Sequence, residues 1–374
     1  MIKLSKSCLS NIELNNVRKV LKKEYLGMGP EVKMFEDELQ SFFERQVVCV
    51  NSGTAALHLA LQACSISCGD EVLVPAITYV ATYQAISATG ATPVLCDVNY
   101  NDLNISLDSA QKRITKKTKA IIPVHFSGHP CDLERIFKFA KVNKIRVIED
   151  SAHAFGSWYK GKKIGSFGDI SCFSFDGIKN ITSGEGGCIV SNNKKIIKKI
   201  KDARLLGVVN DSIKRYNKEK SWNFNVVDQG WRYHMSDINA AIGRAQLSRF
   251  KKLSITRQKI CKTYDKIFLN HSANIVIFKR NYDQEVPHIY CVLIRNLKKR
   301  EKLRKSLLKK NIQTGIHYIP GYKLSYYKSK KDLFPVAESV CKKILTLPLH
   351  PDLTIKEVKF ISNSLIKQIK TSNY

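Results

Sequence analysis

The chain has 374 residues, 44% hydrophobic and 25% charged, enough for a sizeable core and for a large domain beside a smaller one. Its formal net charge of +30 invites a polyanionic partner, but the basic residues are scattered through segments such as "NNKKIIKKIKDAR", "NLKKREKLRKSLLKKN" and "YYKSKKD". That pattern suits solvated faces of amphipathic helices, while 11 cysteines in mostly apolar settings, and no run of about 18 apolar residues, exclude a disulfide framework and a membrane span.

"MIKLSKSCLSNIELNN" opens the chain without an apolar leader core, so a cytoplasmic protein with reduced thiols is expected. Cys64 and Cys68 lack the His/Cys partners of a zinc site, and no bound metal is expected. From about residue 46 to 191, short β-branched runs alternate with helical periodicity. "VVCV" leads into the helix-like "TAALHLALQAC", and "EVLVPA" into "ATYQAISATG". "TPVLCDV" and "AIIPVHF" precede the helix-like "CDLERIFKFAKVNK"; "IRVIED", "SCFSF" and "GCIVSN" complete the series. Such alternation predicts an α/β fold, a mainly parallel sheet covered by helices, with ligands at the carboxyl ends of its strands. Further on, long basic helices flank the strand-like "PHIYCVLIRN". A large domain over residues 1–248, including the N-terminal segment, and a small α/β domain over residues 249–374 are therefore expected.

Three groups fall at strand ends in the large domain. In "NSGTAALHLAL", Ser52, Gly53 and Thr54 open an Ala/Leu-rich helix. Free amides at a helix start favour an anion, and glycine lets a phosphate approach; taken alone, the segment reads more readily as an ordinary helix cap. In "IRVIEDSAHAFG", Asp150 closes an apolar strand and His153 follows. The carboxylate either caps a helix or pairs with a cationic ring nitrogen. In "CFSFDGIKNITSGEGG", Lys179 lies between an aromatic strand and a glycine-rich loop. A desolvated lysine loses its proton and becomes an amine nucleophile toward an aldehyde. Pyridoxal phosphate (PLP) requires such a lysine, an acid facing its ring nitrogen, an aromatic face and a phosphate cup. Lys179, Asp150, Tyr79 of "PAITYVAT" and Ser52–Thr54 offer all four.

The same segments, with "YLGMGPEVKMFEDEL", "GWRYHMSDINAAIG" and "LTLPLHPDLT", resemble in order the DegT/DnrJ/StrS sugar aminotransferases, members of the aspartate aminotransferase superfamily with its type I PLP fold. The resemblance implies a seven-stranded, mostly parallel sheet and a smaller C-terminal α/β domain. It implies that Lys179 holds PLP covalently and that Asp150 keeps the pyridine nitrogen protonated. His153 would lie near the ring's phenolic oxygen and Tyr79 on the ring face. Gly53, Thr54 and the Ser174 hydroxyl would hold the phosphate, and Glu185 would order its loop without a chemical role. His317 and Tyr318 would contact substrate.

A homodimer with the active site at the subunit interface is also implied. Arg232 and His234 stand where many relatives have Asn and Arg; Arg232 is expected to meet the cofactor phosphate of the neighbouring subunit. Gly321 and Tyr322 replace an expected Leu-His pair. The implied reaction moves an amino group from glutamate to a nucleotide-linked keto sugar, a 4-keto-6-deoxyhexose, for surface glycans such as lipopolysaccharide O-antigen. A keto-cyclitol acceptor and sugar dehydration are the alternatives within PLP chemistry; the best-known dehydratases carry histidine in place of Lys179. A basic DNA-binding regulator is the alternative of another class, but no helix-turn-helix or zinc-finger pattern supports specific nucleic-acid binding.

Overall fold

The computed structural model describes residues 1–218 and 223–371. Two helices, α1 (Asn11–Lys22) and α2 (Pro30–Phe43), precede the first strand, β1 (Gln46–Val50). Then follow α3 (Gly53–Ala63), β2 (Glu71–Pro75), α4 (Val80–Ala88), β3 (Thr92–Cys96), α5 (Leu107–Gln111), β4 (Thr118–Ile121), α6 (Leu133–Asn143) and β5 (Arg146–Asp150). A small hairpin of β6 (Trp158–Tyr159) and β7 (Lys162–Lys163) leads to β8 (Ile170–Ser174) and β9 (Gly187–Ser191).

The main sheet has seven strands in the order β1-β9-β8-β5-β4-β2-β3. Pairings from β8 to β3 are parallel, and β9 is antiparallel to both of its neighbours. The seven β-branched runs of the sequence are these seven strands. The reversal at β9 follows from its connection: no crossover helix separates it from β8, so the chain turns back directly. The other six strands point their carboxyl ends at one edge, and the β8–β9 turn, which carries Lys179, lies at that edge.

Strand residues alternate between two apolar layers, as a sheet buried on both faces requires. Val48, Val50, Ile148, Ile170 and Ile189 pack with Leu57, Leu61, Ile86 and Ile200. Val47, Cys49, Val147, Phe173 and Val190 pack on the other side with Phe35, Leu39, Phe43 and Ile136.

After α7 (Lys194–Ala203) and α8 (Asp211–Tyr216), the chain enters α9 (Asp237–Leu269), a helix of 33 residues. It passes unbroken through the boundary expected at 248/249. A three-stranded antiparallel sheet of β10 (Ile275–Ile277), β11 (Tyr290–Ile294) and β12 (Ile344–Leu347) follows, with α10 (Arg300–Leu308), α11 (Pro335–Lys343) and α12 (Ile355–Thr371). Tyr264 and Phe268 of α9 join Val292, Leu303, Leu345 and Val358 in a third core, so α9 serves both units. The first residues also reach across: Ile2 pairs with Ile312, and the Leu349 amide donates to the Leu4 carbonyl.

The basic segments fold as amphipathicity predicts in two cases. On α7, Ile196, Ile197 and Ile200 are buried while Lys194, Lys195, Lys198 and Lys199 are exposed. On α10, Leu303 and Leu307 are buried. "YYKSKKD" instead forms two 3-10 turns. All 11 cysteines are free. Among the described residues no helix is long and apolar enough to cross a membrane, and no His, Cys, Asp or Glu cluster could hold a metal.

Candidate active site

A cavity of about 420 Å³ opens at the carboxyl edge of the main sheet. Of the residues singled out in the sequence, Gly53, Thr54, Tyr79, Asp150, His153, Ser174, Lys179, His317 and Tyr318 line it.

The phosphate-cup candidates come from two strand ends. Ser52 caps α3 by accepting a hydrogen bond from the Ala55 amide at 3.1 Å. Among the described residues the Gly53 and Thr54 amides donate to nothing, leaving them to an anion. Ser52 is therefore the helix cap, and the next two amides stay free at the cavity wall. Ser174 at the end of β8 packs so closely that a Cβ on residue 53 would lie 2.8 Å from its Cβ. Only glycine fits there, and its amide and the Ser174 hydroxyl meet at one cradle.

Asp150 is 6% exposed at the end of β5. Its Oδ2 accepts from Thr82 Oγ1 at 2.8 Å and its Oδ1 from the Ala152 amide at 3.2 Å. Thr82 is linked in turn to Thr78 at 2.9 Å. Burial raises the Asp150 pKa, opposed by these hydrogen bonds and the charges of Lys179 and His125. No ion pair reaches the carboxylate among the described residues, so a cationic ring nitrogen suits it.

Lys179 is partly buried on the β8–β9 turn. Desolvation lowers its pKa, although Asp150 and Asp176 pull the other way. The balance moves the amine toward its neutral, nucleophilic form. Asn180, the next residue, pins the turn by donating to the carbonyls of Phe155 at 3.3 Å and Val286 at 3.2 Å.

Tyr79, 58% exposed, and Tyr318 face one another across the mouth with ring centroids 5.8 Å apart. Tyr318 Oη lies 3.0 Å from His153 Nε2, and His317 Nδ1 lies 2.8 Å from Thr346 Oγ1. Burial and Lys179 push the His317 pKa down to about 4 and that of His153 well below the usual histidine value. His288, unremarked in the sequence, also lines the cavity and packs on His153 with ring centroids 4.4 Å apart. Thr78 and Thr82 were equally silent, because threonine at a helix start reads as an ordinary cap.

Two departures resolve differently. Arg232 is exposed and outside the cavity of its own chain. Its backbone bridges Leu205, and the Asn51 amide group donates to its carbonyl at 3.4 Å. Tyr322 is buried against Phe334, with ring centroids 4.7 Å apart, and donates to Glu338 at 2.9 Å. A Cβ at Gly321 would come within 2.6 Å of the Tyr83 ring. Gly321-Tyr322 therefore serves packing, away from the cavity.

The chain matches the DegT/DnrJ/EryC1/StrS aminotransferase family over residues 7–366. It belongs to that family. It is 38% identical to GDP-perosamine synthase of Escherichia coli O157:H7 over 341 residues, 90% of each chain. The structure is similar to a putative sugar aminotransferase of Streptococcus pneumoniae, Spr1654, solved in PLP and PMP forms; for the PMP form the TM-score is 0.92 at 30% identity, covering 99% of each chain. Helicobacter pylori PseC, an aminotransferase of pseudoaminic acid biosynthesis, aligns with a TM-score of 0.90 at 28% identity, covering 99% of this chain and 100% of that one. The protein is thus a PLP-dependent sugar aminotransferase with the type I fold.

Proposed function

We propose that the enzyme moves an amino group from glutamate to a nucleotide-linked 4-keto-6-deoxyhexose, yielding an amino sugar for surface glycans such as O-antigen. The observation that carries the site is the meeting of Lys179, Asp150 and the Gly53–Ser174 cradle in one cavity. When bound, PLP supplies an electron sink for charge developing at the amino-bearing carbon. The Gly53 and Thr54 amides and the Ser174 hydroxyl would hold its phosphate, and Asp150 would pair with its ring nitrogen and favour the protonated form. Tyr79 would cover the ring face, and His153 would lie beside the phenolic oxygen. Lys179 would anchor the cofactor and, as a free amine, would take the proton from the α-carbon of the amino donor. His317 and Tyr318 border the sugar. The acceptor class is supported by the likeness to GDP-perosamine synthase.

The working form is a homodimer in the cytoplasm, with Arg232 reaching the cofactor phosphate of the partner subunit. Exposure of Arg232, and of Leu206, Phe224, Val226 and Val227 close to it in sequence, supports an interface there. The test of the reaction is incubation of PLP-loaded enzyme with glutamate and a panel of nucleotide keto sugars, with products identified by mass spectrometry and NMR. Amination of a 4-keto-6-deoxyhexose is expected; amination of 3-keto sugars or cyclitols alone overturns the acceptor. For the interface, Arg232→Ala and Lys179→Ala subunits are mixed. Each mixed dimer has one site without a lesion, so activity returns; mixed dimers that stay inactive refute the cross-subunit contact.

A further inference from the structure

Ser127 is fully buried, adopts φ 60° and ψ 13°, and takes no part in the chemistry described above. Five hydrogen bonds converge on it. Its Oγ donates to the Ile289 carbonyl at 2.5 Å and accepts from Arg280 Nη2 at 2.7 Å. Its carbonyl accepts from the His288 amide at 3.1 Å and from Arg280 Nη1 at 3.4 Å. Its own amide donates to His153 Nδ1 at 3.2 Å. Arg280 is itself buried and lies 3.5 Å from Glu285. Non-glycine residues rarely take this backbone conformation, and the surrounding bonds hold it in place.

The last of these bonds decides a chemical question. A nitrogen that accepts from an amide carries no hydrogen, so a neutral His153 must carry its proton on Nε2. Nε2 lies 3.0 Å from Tyr318 Oη, so the imidazole donates and the phenol oxygen accepts. The hydroxyl hydrogen of Tyr318 is then left for a partner other than His153, and Tyr318 lines the cavity.

The geometry points to Ser127 as a positioning residue: held by Arg280 and Ile289, it fixes His153 as the Nε2–H tautomer and thereby makes Tyr318 a hydrogen-bond donor toward ligands in the cavity. The catalytic relevance of Tyr318 rests on the proposed aminotransferase site, whereas the tautomer does not.

The experiment is imidazole ¹⁵N NMR of the full-length protein with labelled histidine, with the His153 signals assigned by their loss in His153→Asn. The wild type is expected to show a protonated Nε2 and a bare Nδ1. A protonated Nδ1, or an imidazolium at neutral pH, overturns the proposal. Tyr318→Phe should leave the tautomer unchanged, because Ser127 sets it; a switch to Nδ1–H in that variant assigns control to Tyr318 and also overturns it. Ser127→Ala loses both Oγ bonds and should give a mixture of tautomers, with Arg280→Lys closer to the wild type. A wild-type spectrum from Ser127→Ala removes the role of the Ser127 side chain. None of these readouts needs turnover, so failure of the aminotransferase reading and failure of this one remain separable.

Discussion

Lysine occurs in two settings whose contrast explains more than the total charge. On α7, four lysines stand exposed beside buried isoleucines, where they solvate one face of a helix. On the β8–β9 turn, Lys179 is drawn into a cavity and its pKa falls through desolvation. The side chain is the same; the difference is whether water reaches the ammonium. Chemistry follows the environment, while the +30 charge follows the surface.

Replacing the cavity lysine should give the largest effect. Lys179→Ala is expected to fold normally, bind PLP without a covalent link and lose turnover by about 10³-fold or more. Borohydride reduction of the PLP-loaded wild type should label the peptide containing Lys179; a label elsewhere would break the contrast. The sign of the pH effect is also fixed. Because the pKa is lowered, the neutral amine is populated at lower pH than for a free lysine side chain. With lysines dimethylated using ¹³C-formaldehyde, the NMR titration midpoint of Lys179 should fall below the value shown by the equally dimethylated, exposed lysines of α7. A midpoint above that value contradicts the desolvated setting.

Asp150→Asn comes next. The amide retains a hydrogen-bonding group but carries no charge to balance a ring cation, so PLP stays bound while turnover drops roughly 10²-fold. Near-normal turnover would reduce Asp150 to a structural cap. A smaller loss is expected from Gly53→Ala, whose Cβ would sit 2.8 Å from that of Ser174. The cradle must open, and PLP affinity measured by fluorescence titration should weaken about tenfold. Unchanged affinity would mean that the phosphate lies elsewhere.

The sheet was legible because each strand is a β-branched run bounded by turns, and seven of the ten candidate residues fall together because the strand ends and the turns after them converge on one edge, while His317 and Tyr318 reach the cavity from the C-terminal part of the chain. What stayed hidden has physical reasons. The reversal of β9 leaves no periodic signature, since a strand buried on both faces reads alike in either direction. No break marks the position 248/249 where a boundary was expected, because amphipathic periodicity continues through α9, a helix that serves two cores. Thr82, His288 and Ser127 act through contacts with residues distant in sequence, and none carries a local motif.

The smallest effect should come from the other side of the comparison. Lys194 and Lys195 lie exposed in the first turn of α7, opposite its buried isoleucines. Changing both to Gln removes two charges without touching the cavity, so turnover should stay within about twofold of wild type. Their charge should matter only for loose association with polyanions, which is driven by counterion release and weakens steeply with salt. Binding of a fluorescent DNA duplex, followed by anisotropy across a salt series, should be equally weak for unrelated sequences and should lose slope in the double variant. A sequence-selective complex that survives physiological salt would give the surface lysines a specific partner. A large loss of turnover would tie them to the cavity. Either result would erase the distinction between the two settings.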